Sequence, residues 1–319
     1  MRVLPSAPTS SVLSATSAVL LASAQLVAGT LSSSNLQNVL RNTHGSDEYR
    51  YPTDFTRGIL PRQATTGEMC PSTPVYPTAA HQQKQMSGYT MVPFMCVGHE
   101  QSALTHARTL ESLYINPILD VLKRQNPATP FVTSPTKNGV FDTVSDQTLY
   151  FFIDVKTSGP ETWNAVISAL QPLRDGGYLT TLKNNKTITK APVTVIGTGN
   201  TPLDLVGPIA DRDYFYDAPL ASLNDTKYAG VTSLISPIAS DDFQAIFGSV
   251  SDTEPVFTDE QLSTLRAQIA TAKSRGIGAR YWDTPYYPIR LRNAVWRELL
   301  QEGVALLNAD DLDAVAEFF

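Results

Sequence analysis

Cysteine is nearly missing from this chain. Cys70 and Cys96 are the only two in 319 residues, and there are only four histidines. Two thiols exclude a disulfide scaffold and a four-cysteine zinc site, and they allow one bridge at most. A basic surface is missing too: 24 Lys and Arg face 30 Asp and Glu, a net charge of −6. Nucleic-acid binders normally carry a basic stripe, so no nucleic-acid partner is expected. No apolar run approaches the ~20 residues of a membrane-spanning helix, which excludes a transmembrane segment. G-x-S-x-G, H-E-x-x-H and P-loop motifs are all absent. What is present is core material. At 42% hydrophobic and 17% charged residues, the chain is too apolar to be disordered throughout and long enough for one large domain or two small ones.

Residues 1–46 contain no Asp or Glu. Arg2, a modest apolar stretch around Ala18-Val19-Leu20-Leu21-Ala22 and the small-residue triplet Ala22-Ser23-Ala24 read as a signal peptide over residues 1–24. A low-complexity linker follows over 25–50. The sequons at Asn185 and Asn224 suit a secretory route. The competing address is mitochondrial, since the segment is Ser-rich and free of acid, although Arg2 and Arg41 are few charges for it.

Farther along, strands and helices alternate. The periodicity predicts helices over Ala103–Gln125, Glu161–Leu173, Asp259–Arg275 and Ile289–Glu302, and a closing helix Asp310–Phe318 capped by Asn308. Strands are predicted over Leu149–Val155, Pro192–Ile196, Asp213–Tyr216, Ile277–Trp282 and Val304–Leu307. Such alternation implies a parallel α/β sheet, and residues 51–319 approach the ~250 residues of a (β/α)8 TIM barrel.

Polar residues stand where those strands end. In LYFFIDVKT, Asp154 and Lys156 are two apart and share one face. An acid and a base there are costly unless paired or employed. The plain reading is a structural ion pair. The functional reading has Asp154 bind a divalent metal and Lys156 bind a phosphate oxygen. Arg280 and Trp282 share a face of the strand GARYW, with Asp283 at its end. Trp282 is either core or a pocket aromatic. His99 precedes the first long helix, as either a surface residue or a catalyst. His44, His81 and His106 have no supporting neighbours and are read as surface. The turn Gly197-Thr198-Gly199-Asn200 is a weak match to a dinucleotide loop, because Pro202 stands where the third glycine belongs.

Three strings, VGHEQSALTHARTLESLYINPILDVL, LYFFIDVKTSG and RYWDTPYYPIRLRNAVWRELLQEGVALLNADDL, together with YPTDFTRGILP, resemble the fungal altered inheritance of mitochondria proteins. These are similar to phospholipase-C-like phosphodiesterases, the barrel superfamily of glycerophosphodiester phosphodiesterase and sphingomyelinase D. The resemblance implies a TIM barrel that cleaves a small phosphodiester or phospholipid with Mg²⁺. It implies His99 as one of two catalytic histidines, Asp154 as a metal ligand, Lys156 as the catalytic, phosphate-binding lysine and Trp282 as a substrate-binding aromatic.

The family pattern fails over residues 62–96. There the family has an H-S-H-N-D-Y-W block and an E-A-D-V-W strand, carrying the first histidine and two metal-binding acids. Neither is present here. Read from the third base of each codon with wobble bases free, Ala64–Phe94 permits D-Y-W and then E-A-D-V-W at family spacing. Our hypothesis is that residues 62–96 are an out-of-frame translation, which leaves the barrel incomplete or distorted and the phosphoric diester hydrolase impaired as written. The transcript across codons 55–105 decides it: an in-frame reading of the printed segment sinks the idea. Two alternatives differ in class. One is a secreted non-catalytic barrel that binds a phospholipid or sugar phosphate through Lys156 and Trp282. The other, much weaker, is a nucleotide-dependent oxidoreductase resting on the glycine turn.

Overall fold

The structure is a computed structural model. It describes residues 95–98, 104–105, 107–132, 137–142 and 144–319, and the backbone of 17–20. The segment 62–94, the stretch 51–61 and the four histidines lie outside the described residues, as do nearly all of residues 1–50.

Two sheets organise the chain, one in each of two units that meet in sequence between Tyr216 and Asp217. In the first unit, β1 (Ser17–Leu20) pairs antiparallel with β2 (Leu149–Val155). On its other side β2 pairs parallel with β5 (Val193–Gly199), which pairs parallel with β6 (Tyr214–Tyr216). β2 and β5 are apolar runs, and Phe151, Phe152, Ile153, Val195 and Ile196 are buried. Strands covered on both faces need continuous rather than alternating hydrophobicity. A hairpin of β3 (Thr181–Lys183) and β4 (Thr187–Thr189) precedes β5 and turns on Asn184 and Asn185, both at φ 52°. Asparagine tolerates that left-handed conformation better than most residues.

The predicted helix from Ala103 starts later. A π-helical turn at Glu111–Ile115 leads into α1 (Asn116–Gln125). Upstream, Met95 and Val97 pair with Leu110 and Arg108 across the Cys96–Thr109 bridge, so that backbone is committed to a strand-like pairing. Cys96 is disulfide-bonded, and the chain's other cysteine, Cys70, lies outside the described residues. The predicted helix Glu161–Leu173 is two helices, α2 (Gly159–Ala169) and α3 (Gln171–Asp175). Pro172 has no N–H to give Ser168, and its ring disfavours an unbroken turn.

The second unit carries a sheet that is parallel throughout, in the order β10 (Leu306–Leu307), β9 (Gly278–Trp282), β8 (Ile238–Asp242), β7 (Ala218–Pro219). Helix α6 (Asp259–Ser274) starts at a capping box, in which Thr258 and Gln261 satisfy each other's backbone N–H. Its buried face, Leu265, Ile269 and Ala272, recurs at helical spacing. Phe243, Phe247 and Phe257 pack with Tyr281 into an aromatic cluster, with ring centroids 5.0–5.8 Å apart. Burial pushes the Tyr281 hydroxyl pKa up, and that hydroxyl donates to Gln268 Oε1 at 2.7 Å. Tyr281→Phe leaves the Gln268 oxygen without its partner. A loss of about 1 kcal/mol in urea unfolding is expected, at unchanged m-value.

Helices α4 (Leu203–Val206), α5 (Phe243–Phe247), α7 (Ile289–Glu302) and α8 (Leu312–Phe318), with a short 3-10 turn at Thr226–Tyr228, are the other helical elements among the described residues. The cap of α8 is Asp311, whose carboxylate accepts from Ala314 N at 3.0 Å. Asn308, predicted for that role, is used elsewhere. No helix among the described residues is long and apolar enough to cross a membrane.

Candidate functional site

Asp154 and Lys156 emerge together at the carboxyl end of β2. Their pairing is real: Lys156 Nζ lies 2.7 Å from Asp154 Oδ2. It accounts for only half of the carboxylate. Asp154 Oδ1 is buried and has no hydrogen-bond partner among the described residues. A buried acceptor in that state costs about 1–3 kcal/mol or more when charged. The lysine of the pair is 38% exposed, and the pair returns at most ~1 kcal/mol. A salt bridge alone therefore does not explain why an aspartate stands here.

The backbone of β5 makes the room. Asp154 is paired with Thr198 and Val155 with Gly199. Gly199 has φ +64°, and a Cβ there would lie 2.2 Å from Asp154 Oδ1 and 2.7 Å from Val155 O. Only glycine allows the strand so close to the carboxylate. The neighbouring Gly197 serves packing, since a Cβ on it would meet Trp163 at 2.5 Å. The glycine pair that weakly matches a dinucleotide loop thus belongs to β5, which runs three residues past the predicted end at Ile196. The loops leaving β2 and β5 are fastened to each other. Asn200 N donates to Val155 O at 2.7 Å, Asn200 Nδ2 donates to Thr157 O at 3.2 Å, and Gly159 leaves space for Asn200 O.

This donor arrangement fits a hard divalent cation in part. Mg²⁺ takes one or two carboxylates and completes its shell with water and phosphate oxygens, and Asp154 Oδ1 offers one such oxygen. No group of three His, Cys, Asp or Glu able to hold a metal occurs among the described residues. The two acids implied by resemblance would belong to the segment 62–96.

Trp282 ends β9 in the second unit's sheet and is 43% exposed, so it is not a core residue. Arg280, on the same face, is buried. Its Nη1 donates to Ser240 Oγ at 3.0 Å and its Nη2 to Asn308 Oδ1 at 2.6 Å. Ser240 and Asn308 carry no local sequence signal for this contact, because it joins β8, β9 and the residue that follows β10. Gly199 was missed for the same reason. His99 lies outside the described residues.

Comparison with known proteins points one way. A family model described as the AIM6-like phosphodiesterase domain matches residues 89–217. The altered inheritance of mitochondria protein 6 homolog of Arthroderma benhamiae is 49% identical over 315 residues, which cover 96% of this chain and 98% of that protein. Altered inheritance of mitochondria protein 6 of Eremothecium gossypii is 32% identical over 235 residues, 70% of this chain and 59% of that protein. The Saccharomyces cerevisiae S288c protein is 30% identical over 242 residues, covering 68% and 60%. The chain thus spans about three-fifths of these two relatives. No solved structure matches it.

Proposed function

Since the chain belongs to the altered inheritance of mitochondria protein 6 family, we propose that it derives from a metal-dependent phosphoric diester hydrolase. The observation that carries this reading is the buried, unbonded Oδ1 of Asp154 beside the Lys156 ammonium, at the carboxyl end of a parallel strand. Ligands of parallel α/β folds bind at that end of the sheet.

The proposed frame is an eight-stranded βα barrel. Among the described residues, β2, β5, the run β6–β7, β8, β9 and β10 are parallel to their parallel neighbours and follow chain order within each sheet. That makes six, with β6 and β7 separated only by Asp217. The place of the remaining two falls to residues 62–96, where the family carries its first two blocks. The family model, which begins at residue 89, leaves most of that segment unmatched.

In this reading Asp154 Oδ1 would be one ligand of a Mg²⁺ ion, which when bound neutralises charge on the phosphodiester. Lys156 would leave its ion pair to take a phosphate oxygen as a point charge. His99 would move a proton to or from an oxygen of the ester, which requires a pKa near working pH. Trp282 would floor the substrate's organic group. Because the first histidine block and the E-A-D strand are absent, the chain as printed is proposed to be impaired. The amino-terminal segment is proposed to direct it to the secretory pathway, with mitochondria as the alternative.

The test is a pair of proteins, the printed chain and one with residues 62–96 replaced by the in-frame transcript reading. Mg²⁺-dependent hydrolysis of a diester panel by the second and not the first is the expected result. A transcript that encodes residues 62–96 as printed overturns the out-of-frame reading and leaves the non-catalytic barrel in its place, whereas Mg²⁺-dependent turnover by the printed chain overturns the impairment.

A further inference from the structure

Ten large hydrophobic residues are exposed among the described residues, and four of them fall between Trp282 and Ile289. Tyr286 is 86% exposed, Tyr287 74% and Ile289 59%. The two tyrosines occupy the loop that joins β9 to α7, where Pro285 and Pro288 flank them, and Ile289 is the first residue of α7. Proline at both ends stiffens so short a connection and keeps the rings from folding back. Scattered exposed apolar residues need no explanation, but a cluster of this kind on one loop does.

The charge beside the loop is opposite to that of the chain. The whole chain has a net charge of −6, yet the stretch 282–297 holds Arg290, Arg292 and Arg297 against the single acid Asp283. Arg290 and Arg297 are exposed on α7, and a spacing of seven puts them on one helix face. Arg292 lies over the Trp296 ring, 4.7 Å from its centroid. Tyrosine and tryptophan, apolar rings with a polar tip, favour the headgroup level of a bilayer. Arginine beside them is attracted to an anionic leaflet.

We propose that Tyr286, Tyr287 and Ile289, with Arg290 and Arg297, dock this protein on the surface of an anionic phospholipid bilayer. Two tyrosines and an isoleucine supply on the order of 500 Å² of contact. That is short of the ~800 Å² per partner of a stable protein interface, but ample for shallow insertion between headgroups. The inference goes beyond phosphodiester cleavage and does not rest on it.

The test is cosedimentation of the full chain with phosphatidylcholine vesicles, with and without about one-third phosphatidylserine. Binding to the anionic vesicles is expected, weakened by salt because exposed charges are screened. Y286S/Y287S and R290E should each lower the partition at least about tenfold. Their urea midpoints should match the parent's, because all three side chains are exposed. Absence of vesicle binding, or equal binding by the variants, overturns the proposal. So does a dimer in analytical ultracentrifugation that the same variants dissolve, which would assign the loop to a second copy. Hydrolysis of a soluble diester, which bears on the phosphodiesterase reading, is independent of each result.

Discussion

Gly199→Ala is expected to destabilise the protein by about 2–4 kcal/mol, summing a left-handed backbone penalty and overpacking. The new Cβ would stand 2.2 Å from Asp154 Oδ1 and 2.7 Å from Val155 O, at φ +64°. Neither neighbour is free to yield. Val155 O accepts from Asn200 N, and Asp154 Oδ2 is held by Lys156. A double-mutant cycle separates the terms. Asp154→Ala removes the carboxylate contact, so the double variant should cost about 1–2 kcal/mol less than the sum of the single changes. Additive free energies from urea unfolding would show that Gly199 answers to the strand alone and has no part in seating the carboxylate.

The second large effect belongs to Trp163. Its side chain is fully buried, meets Tyr214 edge-on at 5.6 Å and fills the space left by Gly197. Trp163→Ala should cost about 3–5 kcal/mol, a large share of a typical total of about 5–15 kcal/mol. Part is returned, because the Trp163 Nε1–H has no acceptor among the described residues. Trp163→Phe keeps most of the ring contact and deletes that donor, so it should cost less than about 1.5 kcal/mol. Comparable losses for both variants in chemical denaturation would argue that the indole N–H is bonded after all.

The parts that could be read in advance are those set by local chemistry. LYFFIDV is a strand over the residues predicted, because five apolar residues in a row closed by a charged one have few other uses. Helix α6 is bounded by its own capping box and by Gly276. The break at Leu170 was also written locally, in Pro172, but the apolar period of the surrounding residues outweighed it. β8 was missed because two of its five residues, Asp241 and Asp242, are acids. They stand at the carboxyl edge of the sheet, where one accepts from Ala221 N and the other caps α5. The hairpin β3–β4 was missed because its strands are three residues each and mostly polar. At the site, the Asp154–Lys156 juxtaposition follows from a period of two. Gly199 beside Asp154, and Ser240 and Asn308 around Arg280, depend on strand register between distant parts of the chain, which no local pattern records.

One feature of the first sheet bears on the fate of the nascent chain. The outer edge of β2 is covered by β1, Ser17–Leu20, in antiparallel register. Those four residues lie inside the stretch proposed as a signal peptide. Removal of residues 1–24 would strip the cover and leave Leu149–Val155, with one charged side chain in seven residues, without a partner on that edge among the described residues. A long apolar edge recruits strands from other molecules. Loss of β1 would therefore expose the first sheet to pairing between molecules.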